Sequence, residues 1–369
     1  MSEIQFTRED GVCMAGNGLG TWAKIILDSI SPDGIRLVTM ICNLHRFILA
    51  ELNTHRALSK SSASSRAIPI QKQIDRVVEN AALPLYWGAN QKGMQAAQEL
   101  EGETLLTAQA IWNMAKGQAA LNAAKLEVCN LHKQLSNRLL EPFMWHTVII
   151  TGTEWDNFFH QRCSPMAQPE MKALADCMQM VYYKSEPKEI AYEDWHLPYI
   201  ENEDWLALPS VIDRAVIVEN ITPENPNGNA LEARAKAVPF MKGVSTARCA
   251  RVSYLQHDGK RDMLKDWEMY CDKLLAGGHW TPFEHIATPV VPEEYLTQAK
   301  DVWLGNFRGW KQHRKEFGDE NHRIFVPNLP GLEKEAEVIL NAKLQLGGPR
   351  GKSLLALNAS ELPDNWEGN

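Results

Sequence analysis

Two stretches of the chain combine β-branched and apolar residues with single polar ones, a pattern that is typical of strands. They are residues 35–43 and residues 143–150. Elsewhere apolar residues recur every three or four positions, which predicts helices. The predicted helices cover residues 45–55, 71–82, two or three segments within 92–140, 167–184, 229–238, 243–254 and 260–277. The turn Thr151-Gly152-Thr153 is expected to cap a further helix that begins near Glu154.

Residues 185–227 interrupt this pattern, because they are acidic and rich in proline and tryptophan. One short helix is predicted near 208–219, and the segment is interpreted as a surface connector between two halves of the protein. The chain is therefore divided into a first half, 1–184, the connector, a second half, 228–330, and a C-terminal tail, 331–369.

The composition is that of an ordinary globular protein, and the net charge limits the classes of ligand that the protein is expected to bind. Of its 369 residues, 44% are hydrophobic and 23% are charged, which is usual for soluble domains. The net charge of −8 argues against broad binding of nucleic acid through its phosphate backbone. An anionic ligand would therefore need a local group of basic side chains.

The seven cysteines are scattered, odd in number and never spaced as C-x-x-C. This usage indicates reduced thiols in a cytosolic protein and no structural zinc site. No apolar run approaches the length of a membrane span, and the N-terminus lacks a signal-peptide pattern. These features predict a cytoplasmic protein without a membrane or a metal partner.

The segment that carries the most chemistry is residues 54–66, Thr-His-Arg-Ala-Leu-Ser-Lys-Ser-Ser-Ala-Ser-Ser-Arg. It follows a helix-like apolar stretch and is expected to be a loop. Serine hydroxyls and loop amides can surround a phosphate, and Arg56 and Arg66 can bind it as planar forks. Taken alone, a serine-rich basic segment is more often a solvated turn, so its meaning depends on the rest of the sequence.

Four other segments give this one a context. They are His279-Trp-Thr-Pro-Phe-Glu-His285, Asn157-Phe-Phe-His-Gln-Arg162 with the following Ala167, Gln168 and Glu170, Arg138 with Pro142, and Ala250-Arg-Val-Ser-Tyr254. Together with Thr54-His55-Arg56 and Ser64, they resemble the flavin-dependent thymidylate synthases. The family's motifs are R-H-R-x7-S, H-x-S/T-P-F-E-H, N-F-x-x-L-R-x4-A-Q-x-E, R-x3-P and A-R-x-S-Y. The resemblance covers roughly residues 35–185 and 243–325.

The order of these motifs differs from that of the family, in which the P-F-E-H block directly precedes the R-H-R loop. Here the loop comes more than two hundred residues before the block, and Gln312-His313-Arg314 follows the block as a degraded copy. Residues 35–66 and 286–323 are interpreted as two versions of one strand–helix–loop unit, with a chance match of a short helix as the alternative. The resemblance implies an α/β (α+β) fold like that of the family, with a mixed sheet, flanking helices and an internal pseudo-repeat.

The resemblance also implies a reaction, the C5-methylation of a pyrimidine deoxynucleotide, most simply dUMP to dTMP. Reduced FAD would supply the hydride, 5,10-methylenetetrahydrofolate the carbon, and NADPH would regenerate the flavin. Catalytic roles are carried over to Arg162, which would stabilise negative charge on the pyrimidine, and to His279, on the folate and nicotinamide side of the flavin. The substrate-binding residues carried over are Glu51, Ser64, Ser65, Arg66, Arg138 and Arg162. The cofactor-binding residues carried over are His55, Arg56, Asn157, Thr281 and Glu284.

Several departures from the family motifs leave the substrate open. Thr54 replaces the first arginine of R-H-R, Ser61 and Ser62 stand where asparagine and glutamate are usual, and Glu51 stands for a glutamine. Because a carboxylate can accept a hydrogen bond from the amino group of cytosine, dCMP or another modified pyrimidine nucleotide is an alternative substrate, unless Glu51 simply pairs with Arg56.

A relative that binds flavin or nucleotide without catalysis is the alternative of a different class, favoured by the degraded second copy and the lost arginine. The family builds its sites between the subunits of a tetramer. A homo-oligomer is therefore expected, with a dimer as the alternative if the chain is internally duplicated.

Overall fold

The structure is a computed structural model that describes residues 3–9, 12–64, 66–208, 230–252, 262–291, 304–318 and 320, with the backbone alone over 230–236. The chain forms two compact units, Met1–His313 and Arg314–Asn369. In the described part of the second unit, Arg314 and Lys315 each bind the carboxylate of Glu320, at 2.6 and 2.7 Å. The elements below belong to the first unit.

A largely antiparallel sheet forms the centre of the first unit. Its strands in the described residues are β1 (Gln5–Glu9), β2 (Val12–Gly16), β3 (Trp22–Ile30), β4 (Arg36–His45), β5 (Ser59–Ser62), β6 (Trp145–Gly152) and β7 (Lys188–Glu189). The strand order is β1-β2-β3-β4-β6-β5, and β7 pairs in parallel with β3. β4 pairs with β3 on one side and β6 on the other, and its apolar run is buried on both faces because a core cluster packs against each of them.

Helices cover the sheet and extend from it. They are α1 (Leu49–Asn53), α2 (Ile70–Glu79), α3 (Gly102–Val128), α4 (Lys133–Ser136), α5 (Asp156–Arg162), α6 (Pro169–Lys184), α7 (described over 202–208), α8 (Ala230–Arg251) and α9 (Met263–Met269). Two short strands, β8 (Ala287–Pro289) and β9 (Trp310–Gln312), pair with each other. None of the helices within the described ranges has the length and apolarity needed to cross a bilayer.

The two faces of the sheet carry separate cores. On one face Leu174 and Met178 of α6 pack in the cluster that holds Met40 of β4. On the other face Ile41 packs in the cluster that holds Met241 of α8. Because side chains alternate along a strand, the odd-numbered residues of β4 face α8.

Part of the predicted secondary structure is confirmed. The strands expected at 35–43 and 143–150 are β4 and β6, and the helices expected at 71–82 and 167–184 are α2 and α6, with ends that differ by no more than three residues. The coarse fold class, an α/β protein with a sheet and flanking helices, is confirmed as well.

The expectation that the serine-rich segment, residues 54–66, forms a loop is wrong for its middle part. Residues 59–62 form β5, which pairs antiparallel with β6 and places Ser59 opposite Thr151. Ser59 and Ser61 are buried, whereas Lys60 and Ser62 are half-buried. The prediction failed because this strand packs hydroxyl groups, rather than apolar side chains, on its buried face, so it has no hydrophobic alternation.

Two predicted helix boundaries are also wrong. Over 45–55 the strand β4 continues to His45, a 3₁₀ turn follows, and only α1 is helical. The helices expected at 229–238 and 243–254 are the single helix α8, which continues through Pro239. A Cβ at Gly243 would lie 2.5 Å from the ring of Trp267, so this glycine serves close packing against α9 rather than a break.

The helix that was expected near Glu154 begins at Asp156, and its N-cap residue, Trp155, makes no side-chain capping bond. Thr151 lies inside β6, where it is buried. Its hydroxyl is used across the sheet, as described below, and is therefore not available as a cap.

The described part of the acidic segment, residues 185–208, contributes to the fold. It supplies β7 to the sheet, and His196 and Leu197 are buried. Most of the helix expected near 208–219 lies outside the described residues. The same holds for residues 292–303, where the helix of the proposed second repeat would fall.

Candidate functional site

Arg162, the last residue of α5, lies at the centre of a cluster of polar side chains. Its Nε donates to His55 Nε2 at 2.7 Å, its Nη1 donates to the Glu51 carboxylate, and its Nη2 lies 3.4 Å from Thr54 Oγ1. The three partners come from α1 and the turn that follows it. The Arg162 side chain is 19% exposed, so the guanidinium is held by three groups while one side of it still reaches solvent.

His55 accepts this bond as a neutral ring. Burial, with further contributions from the charges of Arg162 and Lys60, lowers the pKa of His55 to about 4. At neutral pH one ring nitrogen therefore carries no proton, and the bond to Arg162 assigns that nitrogen as Nε2. The ring edge packs on Phe158 with the centroids 4.9 Å apart. His55 thus orients the guanidinium without adding a second positive charge.

Glu51 pairs with Arg162 and not with Arg56, the partner considered from the sequence. Arg56 is exposed at the turn after α1. The Glu51 carboxylate is 27% exposed, so it also faces solvent beside the guanidinium.

A cleft of about 990 Å³ opens beside Glu51 and Arg162. Its walls also include Phe47, Tyr86, Trp112, Pro142, Met166 and Gln168. Clefts of this size with aromatic walls are typical of sites for small molecules.

Arg138 lines a second groove, of about 530 Å³, which shares Phe47 and Pro142 with the cleft. Its Nη1 donates to Glu141 at 2.6 Å, and the side chain is 48% exposed. Arg138 and Arg162 therefore open onto adjoining surfaces.

The rest of the predicted phosphate-binding group lies close to the segment that carries Arg138. Ser64 is half-buried, Arg66 is exposed, and Ser65 lies outside the described residues. The following backbone is tied to this segment, because Lys133 Nζ donates to the Ala67 carbonyl at 3.1 Å. Asn137 Nδ2 likewise donates to the Ile68 carbonyl, at 3.0 Å.

Three of the predicted flavin contacts share a third cleft, of about 330 Å³. His55, Arg56 and Asn157 line it, and Asn157 is exposed near the start of α5. Among the described residues, Thr281 and His279 are exposed and line none of these three clefts. The structure therefore brings together one part of the predicted flavin site and leaves the other part on a separate segment.

Lys60, for which no role was predicted, binds one part and feels the charge of the other. Its Nζ donates to the carbonyls of His55 and Leu58, at 2.6 and 2.8 Å. Burial lowers the pKa of Lys60 to about 8, and the negative charge of Glu284 opposes part of this shift. A lysine whose pKa lies this close to neutrality is typical of functional sites.

A chain of buried side chains crosses the sheet perpendicular to its strands. Five hydrogen bonds, of 2.8, 2.8, 2.7, 2.8 and 2.9 Å, join in order Ser29, His196, Thr39, Thr151, His285 and Ser61. Each of these residues is at most 5% exposed. We call this set the buried chain.

The histidines of the buried chain are neutral at physiological pH. Burial lowers the pKa of His196 and of His285 to about 3. A neutral ring donates through one nitrogen and accepts through the other, so the bonds can all point in one direction along the buried chain. The hydroxyls of Thr39 and Thr151 then each donate one bond and accept one, which satisfies groups that would be costly to bury alone.

Gln312 adds a second link between the P-F-E-H segment and β5, beside the bond between His285 and Ser61. Its Nε2 lies 3.1 Å from both Ser59 Oγ and the Glu284 carbonyl oxygen. Asn306 Nδ2 also donates to Ser59 Oγ, at 3.1 Å. Residues more than two hundred positions apart are thus joined along β5, which local sequence patterns could not reveal.

No family model matches the chain, and no curated protein matches it. The solved structures that are similar to part of it include two of the UMP/dUMP methylase PolB from Streptomyces cacaoi. The one bound with 5-Br dUMP has 16% identity and a TM-score of 0.33, and the match covers 40% of this chain and 67% of that one. The one bound with 5-Br UMP has 15% identity and a TM-score of 0.32, with 40% and 69% covered. A likeness of this size carries no argument about fold or activity.

Proposed function

We propose that the protein methylates C5 of a pyrimidine deoxynucleotide, most simply dUMP, with FAD, NADPH and 5,10-methylenetetrahydrofolate as co-reactants. The bond between Arg162 and His55 is the observation that supports this best. The two residues are 107 positions apart, in motifs that the flavin-dependent thymidylate synthases use at the substrate and at the flavin. One hydrogen bond of 2.7 Å joins them here.

Arg162 is suited to stabilise charge on a substrate ring. Methyl transfer builds negative charge on the pyrimidine, and a guanidinium that is already oriented needs little reorganisation to interact with it. Thr54 and His55 hold two of its nitrogens, and the side chain still borders the cleft of about 990 Å³. The pyrimidine would lie in that cleft, between the guanidinium and the aromatic walls.

The phosphate of the nucleotide would bind in the adjoining groove. Arg138 lines that groove, and the backbone that follows Ser64, Ser65 and Arg66 is tied to the segment before Arg138. Each charge-assisted bond to the phosphate is expected to contribute about 1.5–3 kcal/mol. This exceeds the contribution of the exposed pair that Arg138 makes with Glu141.

The predicted FAD contacts within a single protein chain fit only part of FAD. His55, Arg56 and Asn157 share a cleft of about 330 Å³, at the lower end of the range for small-molecule sites. Glu284, which lies on the segment that carries Thr281, interacts with this region electrostatically, because its negative charge acts on Lys60. When bound, FAD would supply the hydride chemistry, and these side chains would hold and orient it. His279 and Thr281, being exposed, would reach the folate and nicotinamide side.

Glu51 supports dCMP as a second candidate substrate. Its carboxylate borders the same cleft as Arg162 and remains 27% exposed. A carboxylate accepts hydrogen bonds and donates none, so it fits the exocyclic amino group of cytosine. Comparing the two nucleotides in one assay separates these candidates.

The test is an anaerobic incubation of the purified protein with FAD, NADPH, methylenetetrahydrofolate and either dUMP or dCMP, followed by mass analysis of the nucleotide. We expect a methylated product from one of the two. A protein that binds FAD and nucleotide but yields no product from either would be the non-catalytic relative instead. Absence of FAD binding at micromolar concentrations would remove the proposal.

Arg162 variants test the residue that carries the proposal. Arg162→Ala should lower product formation by about two orders of magnitude or more, while NADPH still reduces the bound flavin. Arg162→Lys should rescue poorly, because a point charge does not reproduce the planar fork. Arg8→Ala is the matched control, since it removes an arginine from an exposed pair with Glu186. Near-normal product from Arg162→Ala would refute the role given to this residue.

A further inference from the structure

The long helix α3 presents an apolar stripe to solvent. Its inner side packs on α2 and on residues 137–143, with Ala120 and Ala123 buried. Four large apolar side chains on its outer side are 50–89% exposed, namely Ile111, Met114, Leu121 and Val128. A Cβ built at Gly117, on the same side, has no neighbour within 4 Å among the described residues. Exposed apolar surface of this kind marks an interaction site.

The charges on this stripe have a symmetric arrangement about Met114. Glu103 lies eleven residues before it (114 − 103) and Lys125 eleven residues after it (125 − 114). Eleven residues are about three turns of helix, roughly 16 Å, so all three side chains lie along one line of the surface. The other two charged residues of α3, Lys116 and Glu127, lie on the opposite side.

We propose that the outer stripe of α3 binds the same stripe of a second copy of this chain, with the two helices antiparallel about a two-fold axis at Met114. This arrangement places Glu103 of each copy opposite Lys125 of the other. It also places Thr107 opposite Leu121, and Met114 opposite its own equivalent. A parallel pairing would instead place like charges together at both ends, which is unfavourable.

The apolar and charged parts of the stripe have separate roles in this contact. Burial of Ile111, Met114 and Leu121 supplies the driving force, and the absence of a side chain at Gly117 allows the helix backbones to approach closely. The two ion pairs set the direction and register of the helices. The contact is isologous, so every pair away from the axis occurs twice.

A charge-swap cycle on the full-length protein tests this directly, with association measured by sedimentation velocity over about 1–100 µM. Glu103→Lys or Lys125→Glu alone puts like charges together at both ends, and each should raise the dissociation constant of the pair by roughly tenfold. The double variant Glu103→Lys/Lys125→Glu restores opposite charges and should return the constant close to that of the wild type. Met114→Lys, which puts two charges at the axis, should abolish the contact.

Glu127→Lys is the matched control, because it makes the same change of charge on the opposite side of α3 and should leave association unchanged. Circular dichroism and urea unfolding of each variant establish that it folds. A wild-type protein that is monomeric over this range would overturn the proposal. So would a double variant that associates no better than the single ones, since restored pairing is specific to the antiparallel contact.

Discussion

Acidification should destabilise the protein through the two histidines of the buried chain. Burial lowers the pKa of His196 and His285 from 6.5 to about 3. At about pH 5 both rings are therefore neutral in the folded protein, whereas each binds a proton in the unfolded chain. Because the unfolded state holds more protons, the free energy of unfolding falls as the pH drops below 6.5, until the folded rings titrate near 3.

The magnitude follows from the difference in bound protons. Each ring contributes about 1.4 kcal/mol per pH unit below 6.5, which gives about 2 kcal/mol between pH 6.5 and 5. The two rings together contribute about 4 kcal/mol over this interval, a large share of the stability of a typical domain. His146, whose pKa burial lowers to about 3, and His55, at about 4, add to the same trend.

The assay is urea unfolding followed by tryptophan fluorescence at several pH values between about 7.5 and 5. His285→Asn breaks the bonds to Thr151 and Ser61 and should lower stability at every pH. Its specific effect is on the slope, because the fall between pH 6.5 and 5 should be smaller by about 2 kcal/mol than in the wild type. His279→Asn, which removes an exposed histidine of the same segment, is the control and should leave the slope unchanged. If His285→Asn and the wild type lose equal stability over this interval, the reasoning about a neutral buried ring is refuted.

Two further substitutions test the packing around the sheet. Arg248→Met should destabilise the protein by about 3–5 kcal/mol in the same urea assay, because it leaves the carboxylates of Asp204 and Asp266 buried without this partner. Gly20→Ala should lower the midpoint of thermal unfolding, because the backbone there has φ of +106° and a Cβ would lie 2.3 Å from the ring of Trp145.

Each of these substitutions has a matched control. Arg8→Ala removes an arginine from an exposed pair and should change the stability far less than Arg248→Met does. Gly18→Ala imposes the same kind of backbone strain, at φ of +70°, without a steric clash among the described residues. Equal losses within either pair of variants would contradict the reasons given for it.

The two strands β4 and β6 of the sheet, and the flanking helix α6, could be predicted from the sequence. β4 and β6 carry long runs of apolar and β-branched residues, and α6 repeats its apolar residues every three or four positions. These signals are local, so a short window of sequence contains them. The same holds for the motifs that pointed to Arg162 and His55, although the bond between the two could not be foreseen from either motif alone.

The parts that could not be predicted depend on contacts between distant residues. Ser61 and His285 are 224 positions apart, and nothing in the neighbourhood of either one indicates the other. His196 lies in an acidic segment that was interpreted as a surface connector, yet it is fully buried between Ser29 and Thr39. In both cases a polar residue is buried because a distant partner satisfies it, and composition and periodicity do not record such partners.

The position of β5 changes how the serine-rich segment should be interpreted. Side chains alternate along the strand, and the two buried serines, Ser59 and Ser61, form hydrogen bonds with Gln312 and His285 inside the protein. Only the serines outside this buried set are available for a phosphate. Gln312 binds both Ser59 and the Glu284 carbonyl. A loss of activity on replacing Ser59 would therefore indicate that the Glu284 carbonyl is displaced, and not that a contact to the nucleotide is lost. Evidence for phosphate binding has to come from Ser64, because this serine lies outside β5 and outside the strand pairing that buries Ser59 and Ser61.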